Sequence, residues 1–350
     1  MTHILIAGAG PAGLVAAIKL ARSGRKVMIV APRLNSHKIG ECVPGAINPI
    51  LTELELPQIN DSGGIHRRIG GTVSLWASSW RQEDSIASRL QIGWRLNRTA
   101  FEQSLENVAI SLGIERLVGC VRTVRRSLDG RWQIETDNGC SLIADWIVDA
   151  TGRNASIARK RIAKMSTGTK LIALWSIGKP ADSDFTNRTL IESRPDGWWY
   201  AAFLPDGRPI AIFHTSPELA MDLKKNPSKW VKQMHDSLLI GEYIPFKLFI
   251  GESVRASNAT PGQLDPCFGD RWVACGDAAL SFDPIASHGI FNSVMTGSLV
   301  ANALIQGDEH SLVQYQLRLM ELSKTVEKRR SLYYESASIY FRTSFWLDRA

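Results

Sequence analysis

Residues 3–13 read His3-Ile4-Leu5-Ile6-Ala7-Gly8-Ala9-Gly10-Pro11-Ala12-Gly13, an apolar run of strand length followed at once by glycines in G-x-G-x-x-G spacing. Leu14 to Ser23 continues with helical spacing to a stop at Gly24, and Lys26-Val27-Met28-Ile29-Val30 is a second strand-like run. In a strand–turn–helix–strand unit of about thirty residues, this spacing marks a dinucleotide-binding turn rather than a chance cluster of glycines. Gly8 permits the tight turn, Gly10 lets a pyrophosphate approach the backbone, and Gly13 lets the helix lie close on the strand. Pro11 and Ala12 open the helix, whose unpaired N–H groups and positive dipole end face the phosphates. The second strand of such a unit should end on an acidic residue that holds a ribose. Here Val30 is followed by Ala31-Pro32-Arg33, so that carboxylate is missing, and Arg33 in its place would suit a 2′-phosphate.

Three more segments continue the pattern. Gln91 to Leu105, QIGWRLNRTAFEQSL, is a strand end with Arg98 entering a helix. Asp145 to Ser156, DWIVDATGRNAS, is an apolar strand ending on Asp149-Ala150-Thr151-Gly152. Arg271 to Ile290, RWVACGDAALSFDPIASHGI, runs from a strand into Gly276-Asp277 and a Pro284…Gly289 loop that opens a long helix. Each has an ordinary reading alone: Arg98 as a surface residue, Asp149 as a turn cap, Asp277 as a helix N-cap. In this order behind the glycine turn, they resemble the FAD-dependent monooxygenases and halogenases of the p-hydroxybenzoate hydroxylase type. The resemblance implies FAD, with Arg98 near the pyrophosphate and Asp277, after Gly276, on the ribitol. It also implies that the 284–290 segment, with Pro284, Gly289 and Ile290, offers backbone N–H groups to the isoalloxazine. It weakens the 2′-phosphate reading of Arg33. No second GxGxxG follows a strand, so the reductant is expected to be transiently docked NAD(P)H or a separate reductase.

Gly40-Glu41-Cys42-Val43-Pro44, preceded by Lys38-Ile39, resembles the GE-x-x-P segment of flavin halogenases and their relatives, and Glu41 is accordingly a candidate cofactor and catalytic residue. Halogenation needs a lysine to hold or relay hypohalous acid and a carboxylate to accept the arene proton. Gly64 to Trp76 contains no lysine, Ala286 stands where the halogenase glutamate would fall, and Gly197-Trp198-Trp199-Tyr200 keeps only the start of a WxWxIP motif. What remains resembles the LodB-like and GoxB-like flavoproteins, which mature the tryptophylquinone of amino-acid oxidases. The markers are GE-x-x-P, DATGR at Asp149–Arg153, GWWY…LPDGR at Gly197–Arg208, the Asp283–Gly289 loop and a tail running YYES…SFWLDR from Tyr333 to Arg349. This resemblance implies an FAD-dependent monooxygenase that uses O2 on a tryptophan side chain of a partner precursor, the amino-acid oxidase, on the way to cysteine tryptophylquinone. Ala31, and His288 in a slot that often holds a smaller or amide residue, depart from the pattern.

That chemistry asks the protein to position the ring, exclude water and manage protons, while the cofactor supplies the reactivity. Trp76, Trp94, Trp198 and Tyr200 are the candidate substrate-binding residues, with Trp80 and Trp199 as further aromatics, although tryptophans in strands more often pack a core. His288 is the first candidate for proton transfer, and Glu41 and Asp283 are the alternatives. His66-Arg67-Arg68 is a basic cluster for an acidic partner or simply a solvated face.

Composition bounds the rest. Of 350 residues, 44% are apolar and 21% charged, which suits a globular chain and excludes a mostly disordered one. Lys+Arg less Asp+Glu is 41 − 34 = +7, too mild for a nucleic-acid protein. The five cysteines have neither CxxC nor Cys/His spacing, which gives no metal site or disulfide framework and suits reduced thiols in the cytoplasm. No uncharged apolar run is long enough for a membrane span. The expected fold is α/β (α+β overall). A discontinuous Rossmann-like FAD-binding domain is expected at 1–56, 92–163 and 262–300. A β-rich substrate domain at 57–91 and 164–261 is interleaved with it, and nearly continuous helix runs from Phe291 through a C-terminal segment at 301–350. Two other readings stay open: a monooxygenase or halogenase of a free small aromatic metabolite, and a flavoprotein scaffold for the precursor.

Overall fold

The computed structural model describes residues 3–33, 39–84, 92–161, 163–181 and 185–350; Lys38 and Gln91, at the outer ends of two quoted segments, lie outside the described residues. The apolar run His3–Ala7 is a strand inside a six-stranded sheet. Its order is Phe268–Gly269, Trp272–Ala274, Trp146–Asp149, His3–Ala7, Lys26–Ala31, Glu115–Val118. Every pair is parallel except the first. Central strands of a parallel sheet are covered on both faces, which is why these runs read as continuous rather than alternating apolar sequence. From His3–Ala7 the chain first builds outward to Lys26–Ala31 and later returns on the opposite side at Trp146–Asp149. The carboxyl ends of those strands therefore flank a topological switch point, where such sheets bind ligands.

Helix Pro11–Arg22 packs on this sheet and is crossed closely by helix Gly289–Gln306, because a Cβ at Gly297 would sit 2.4 Å from the Ala12 carbonyl oxygen. The close crossing brings the loop before the second helix to the glycine turn. A separate three-stranded antiparallel sheet is formed by Val121–Arg126, Trp132–Thr136 and Ser141–Ala144.

The runs expected as strands near 170–177, 198–204 and 209–214 are strands Ile172–Ile177, Gly197–Phe203 and Pro209–Thr215. They lie in a seven-stranded sheet ordered Arg255–Asn258, Ile172–Ile177, Pro209–Thr215, Gly197–Phe203, Arg188–Arg194, Gly71–Trp76, Ser79–Asp84. Period-two alternation divides its middle strands cleanly. Leu174, Trp199, Ala201, Ala211 and Phe213 point to one face and share a core with Trp230, Met234, Leu239 and Ile240. Those partners come from helices Pro217–Lys225, Pro227–His235 and Ile240–Tyr243 and the turns between them, which the expectation of a β-rich layer did not contain. Their starts are local: Ser216 accepts the Leu219 N–H as an N-cap, and Pro217 and Pro227 occupy first-turn positions. Ala173, Trp198, Tyr200, Ile212 and His214 face the other way.

The nearly continuous helix expected from Phe291 onward is broken into Gly289–Gln306 and Glu309–Phe341, followed by Ser344–Leu347. Gly307 takes φ +79 and ends the first, and the Asp308 carboxylate accepts the Ser311 N–H at 2.7 Å to start the second. The tail then turns back onto the seven-stranded sheet, where fully buried Trp346 donates to the Arg194 carbonyl at 2.8 Å. Among the described residues no helix is long and apolar enough to cross a membrane.

Candidate active site

The three glycines of the first turn have different neighbours. A Cβ at Gly8, which has φ +113, would lie 2.2 Å from the Ala150 carbonyl oxygen, and one at Gly13 would lie 2.1 Å from the Gly8 oxygen. Protein backbone excludes a side chain at both. A Cβ at Gly10 would meet nothing within 4 Å, and its φ of −81 suits any residue. Gly10 therefore borders open space at the N-terminus of a 12-residue helix with no acidic side chain in its first turn and no side-chain cap. Unpaired N–H groups facing an uncovered space form a cradle that fits a pyrophosphate. At the end of the next strand Ala31 is buried while Arg33 is exposed, so neither supplies a ribose carboxylate.

Asp149 closes the switch point from below. It is fully buried and accepts the N–H groups of Thr151, Ile157 and Ala158 at 3.0, 3.1 and 2.9 Å, together with the Thr151 hydroxyl at 2.6 Å. Its carboxylate is consumed in shaping the DATGR turn. That turn aims Arg153 across the chain, where it donates to the carbonyls of Thr260 and Phe282 at 2.9 and 2.7 Å.

A cavity of about 620 Å³ opens between this layer and the second face of the seven-stranded sheet. Gly40, Glu41, Arg98, Asp277, Asp283, Pro284, His288, Gly289 and Ile290 line it from the first layer, and Ala173, Trp198, Tyr200, Ile212 and His214 from the sheet. Arg98 begins a helix capped by Asn97, donates to the Gly40 carbonyl at 2.9 Å and pairs with Glu102 at 2.6 Å. Asp277 is ion-paired with Arg153 at 3.3 Å, so it enters the cavity as half of a pair. Glu41 is buried, accepts a hydrogen bond from the Tyr200 hydroxyl and lies 3.6 Å from buried Arg95. Arg95 also donates to Tyr200 and to the Thr189 hydroxyl, so the Glu41 charge is compensated within a closed network. Burial pushes the Tyr200 phenol well above its usual range.

Asp283 is buried as well. One carboxylate oxygen caps the short turn by accepting the Ile285 N–H at 3.0 Å, and the other accepts the Tyr334 hydroxyl at 2.7 Å. Tyr334 in turn accepts from the Trp198 indole at 3.2 Å, which makes a chain from the sheet through the tail helix to the loop. Burial raises the Asp283 carboxyl above the usual carboxylate range. His288 stands immediately before helix Gly289–Gln306, with Nδ1 against the Ala286 carbonyl and its ring edge-on to Phe291. His214 lies face to face with Trp198, ring centroids 3.7 Å apart and planes at 15°. Burial depresses its imidazole to about 3, so it is neutral.

Comparison with known proteins adds to this geometry. Residues 3–171 match the family described as FAD dependent oxidoreductase. The chain is an FAD-dependent oxidoreductase. The oxidoreductase is 24% identical to LodB of Marinomonas mediterranea, described as an FAD-dependent oxidoreductase, across 99% of this chain and 96% of that protein. It is 26% identical to a pyrrole-2-carbonyl peptidyl-carrier-protein brominase of Pseudoalteromonas luteoviolacea, across 87% of this chain and 77% of that one. Its fold is that of the peptidyl tryptophan dihydroxylase QhpG, with TM-score 0.79 and 24% identity over 99% of this chain and 78% of that one.

Not every aromatic chosen from the oxidoreductase's sequence reaches the cavity. Trp198 and Tyr200 do. Trp76 is instead packed edge-on against Trp346, with its indole donating to the Tyr333 carbonyl, because the returning tail covers that end of the sheet. Trp94 packs in the core of the nucleotide-side layer beneath the Arg68 guanidinium, Trp199 points to the helix-covered face, and Trp80 is half-exposed on an edge strand. The basic cluster is dispersed: His66 accepts the Asn97 N–H, Arg67 lies over Phe185, and Arg68 pairs with Asp61. Sequence reasoning passed over Arg95, Arg153, His214 and Tyr334. Arg153 and Tyr334 stood inside quoted motifs, and His214 shares the alternation of Ile212, so strand register was the available signal.

Proposed function

We propose that this FAD-dependent oxidoreductase is a monooxygenase that hydroxylates a tryptophan side chain of a partner precursor protein during cysteine tryptophylquinone biogenesis in an amino-acid oxidase. The observation that carries the reading is the cavity's composition. It has a stacked Trp198–His214 wall suited to a flat aromatic, and no lysine among its described lining residues. The post-Asp283 turn carries Ala286 in place of a carboxylate. Full-length likeness to LodB supports it, as does the shared fold with QhpG, whose description is a peptidyl tryptophan dihydroxylase essential for tryptophylquinone cofactor biogenesis.

In this reading Gly8, Gly10, Pro11, Ala12 and Gly13 hold the FAD pyrophosphate with Arg98, the Asp277–Arg153 pair meets the ribitol, and main-chain groups of 284–290 meet the ring. FAD supplies the reactivity that delivers oxygen from O2. One oxygen atom of O2 is inserted into an indole C–H bond to give C–OH, and the other leaves as water with two electrons and two protons from NAD(P)H or a separate reductase. The chain's own part is to exclude water and to take up the proton released from the ring carbon. His288 at the loop and Asp283 behind it are the groups for that proton. Glu41, held by Arg95 and Tyr200, positions the GE-x-x-P loop.

The brominase likeness favours a second reading, halogenation of a small aromatic, for which the described lining residues of the cavity offer no lysine. The test is intact mass and peptide mapping of a candidate precursor co-expressed with the oxidoreductase. Oxygen additions confined to one tryptophan, and lost with Gly10→Val, are expected. An unmodified precursor beside a protein with bound, reducible FAD would send the assignment to small aromatics.

A further inference from the structure

Building on the tryptophan reading, we propose that His214 is the hydrogen-bond acceptor for the substrate's indole N–H, and so the residue that selects an N–H-bearing ring over an isosteric one without it. An indole entering an enclosed site loses water from its N–H and needs an acceptor there. The carboxylates among the described lining residues are all engaged: Glu41 by Tyr200 and Arg95, Asp277 by Arg153, and Asp283 by Tyr334 and the Ile285 N–H. The His288 Nδ1 donates to the Ala286 carbonyl, and the ring stands on the loop assigned to the flavin, where its Nε2 is reserved for the ring-carbon proton.

His214 differs from these. It is only 3% exposed, lines the cavity, and its Nδ1 is enclosed without a hydrogen-bond partner. A neutral imidazole carries its proton on one ring nitrogen and a lone pair on the other, so a ring that lines the cavity with Nδ1 unpaired has an acceptor to offer a donor there. The ring is well fixed. Its strand is paired on both sides, with Ala173 and Trp198 as register partners, and the Trp198 indole stacks on its face. Trp198's own N–H is used by Tyr334, so it does not compete for the acceptor. Burial keeps the imidazole neutral, which preserves the lone pair through the working pH range. A buried, rigid acceptor without a protein partner discriminates best against a ligand that lacks the donor, because that ligand leaves it unpaired.

The experiment is equilibrium binding to the FAD-loaded protein of N-acetyltryptophanamide and of its benzothienyl analogue, in which sulfur replaces the ring N–H. Wild type is expected to prefer the indole by roughly five- to tenfold. His214→Phe should bring the two ligands level, and His214→Gln, which restores an acceptor, should recover part of the preference. FAD content and melting temperature establish that each variant is folded; if the Phe variant is not, the Gln variant and the wild-type ratio still decide. Equal wild-type affinities, or a preference that survives in His214→Phe, would overturn the role of His214 and leave the tryptophan reading standing. Failure of wild type to bind either ring would overturn both.

Discussion

Trp198 and Trp199 are adjacent on one strand and wholly buried, yet they stand on opposite faces of the seven-stranded sheet. Trp199 meets Phe213 and Trp230 among apolar side chains, and its indole N–H has no partner. Trp198 meets His214 and donates to Tyr334, beside a chain of polar groups that ends at Asp283 and a cavity. The difference teaches that burial alone does not assign a tryptophan its job. The face that ends in helices is a closed core, and the face that ends in polar groups and open volume is a site. The glycine turn repeats the contrast, since Gly8 and Gly13 face protein whereas Gly10 faces open space.

The largest expected effect separates those glycines. Gly10→Val should leave secondary structure intact by circular dichroism but yield protein with no bound FAD absorbance. Gly13→Val should fail to accumulate as folded protein, because its Cβ meets backbone at 2.1 Å. Equal behaviour of the two would break the contrast. Next, Trp199→Ala should cost about 3–5 kcal/mol in denaturant unfolding, as expected for an indole removed from a closed core. Trp198→Ala, which only enlarges an existing cavity, should cost less while losing most precursor oxygenation. A larger stability loss at Trp198 than at Trp199 would reverse the assignment of the faces.

The pH dependence of stability sharpens it further. His214 is held from the ordinary histidine value of 6.5 down to about 3 in the folded state. Between those values the unfolded chain binds the extra proton, so this residue's contribution is full above pH 6.5 and is lost as pH falls toward 3. The loss is at most about 1.4 kcal/mol per pH unit. Unfolding free energies measured from pH 7 to 5 should therefore fall more steeply for wild type than for His214→Phe, and parallel curves would place the imidazole in a solvated setting. The smallest expected effect is at Tyr334→Phe, which removes the donor to Asp283 and should cost about 1–2 kcal/mol. Calorimetry showing no change would remove Tyr334 from the chain linking the sheet to the loop.

How much of this was legible in the sequence follows from range. The glycine turn and its flanking runs are local, so their geometry could be written from residues 3–30 alone. The helix break at Gly307-Asp308 was equally local, in a glycine followed by a capping aspartate, but the surrounding helical pattern masked it. The site was only half legible. GWWY shows that two tryptophans alternate, but which face is covered depends on helices at 217–243 that lie later in the chain. Trp76 looked as good as Trp198 until the tail, more than two hundred and fifty residues onward, folded over it. His214 sits in PIAIFHT, a run that reads as packing, and only register against Trp198 shows that its ring shares the cavity side. Arg153 hid inside a motif whose aspartate drew the attention.

The central claim is that the cavity-facing wall directs oxygen to a protein-held tryptophan. It is tested most directly by supplying ¹⁸O₂, bromide and a reductant to the FAD-loaded protein with its precursor, and weighing the tryptophan-containing peptide. The account predicts ¹⁸O on one tryptophan, no bromine, and loss of label in Trp198→Ala but not in a Trp80→Ala control. Bromine on the ring, or a precursor of unchanged mass while FAD turns over, would contradict it.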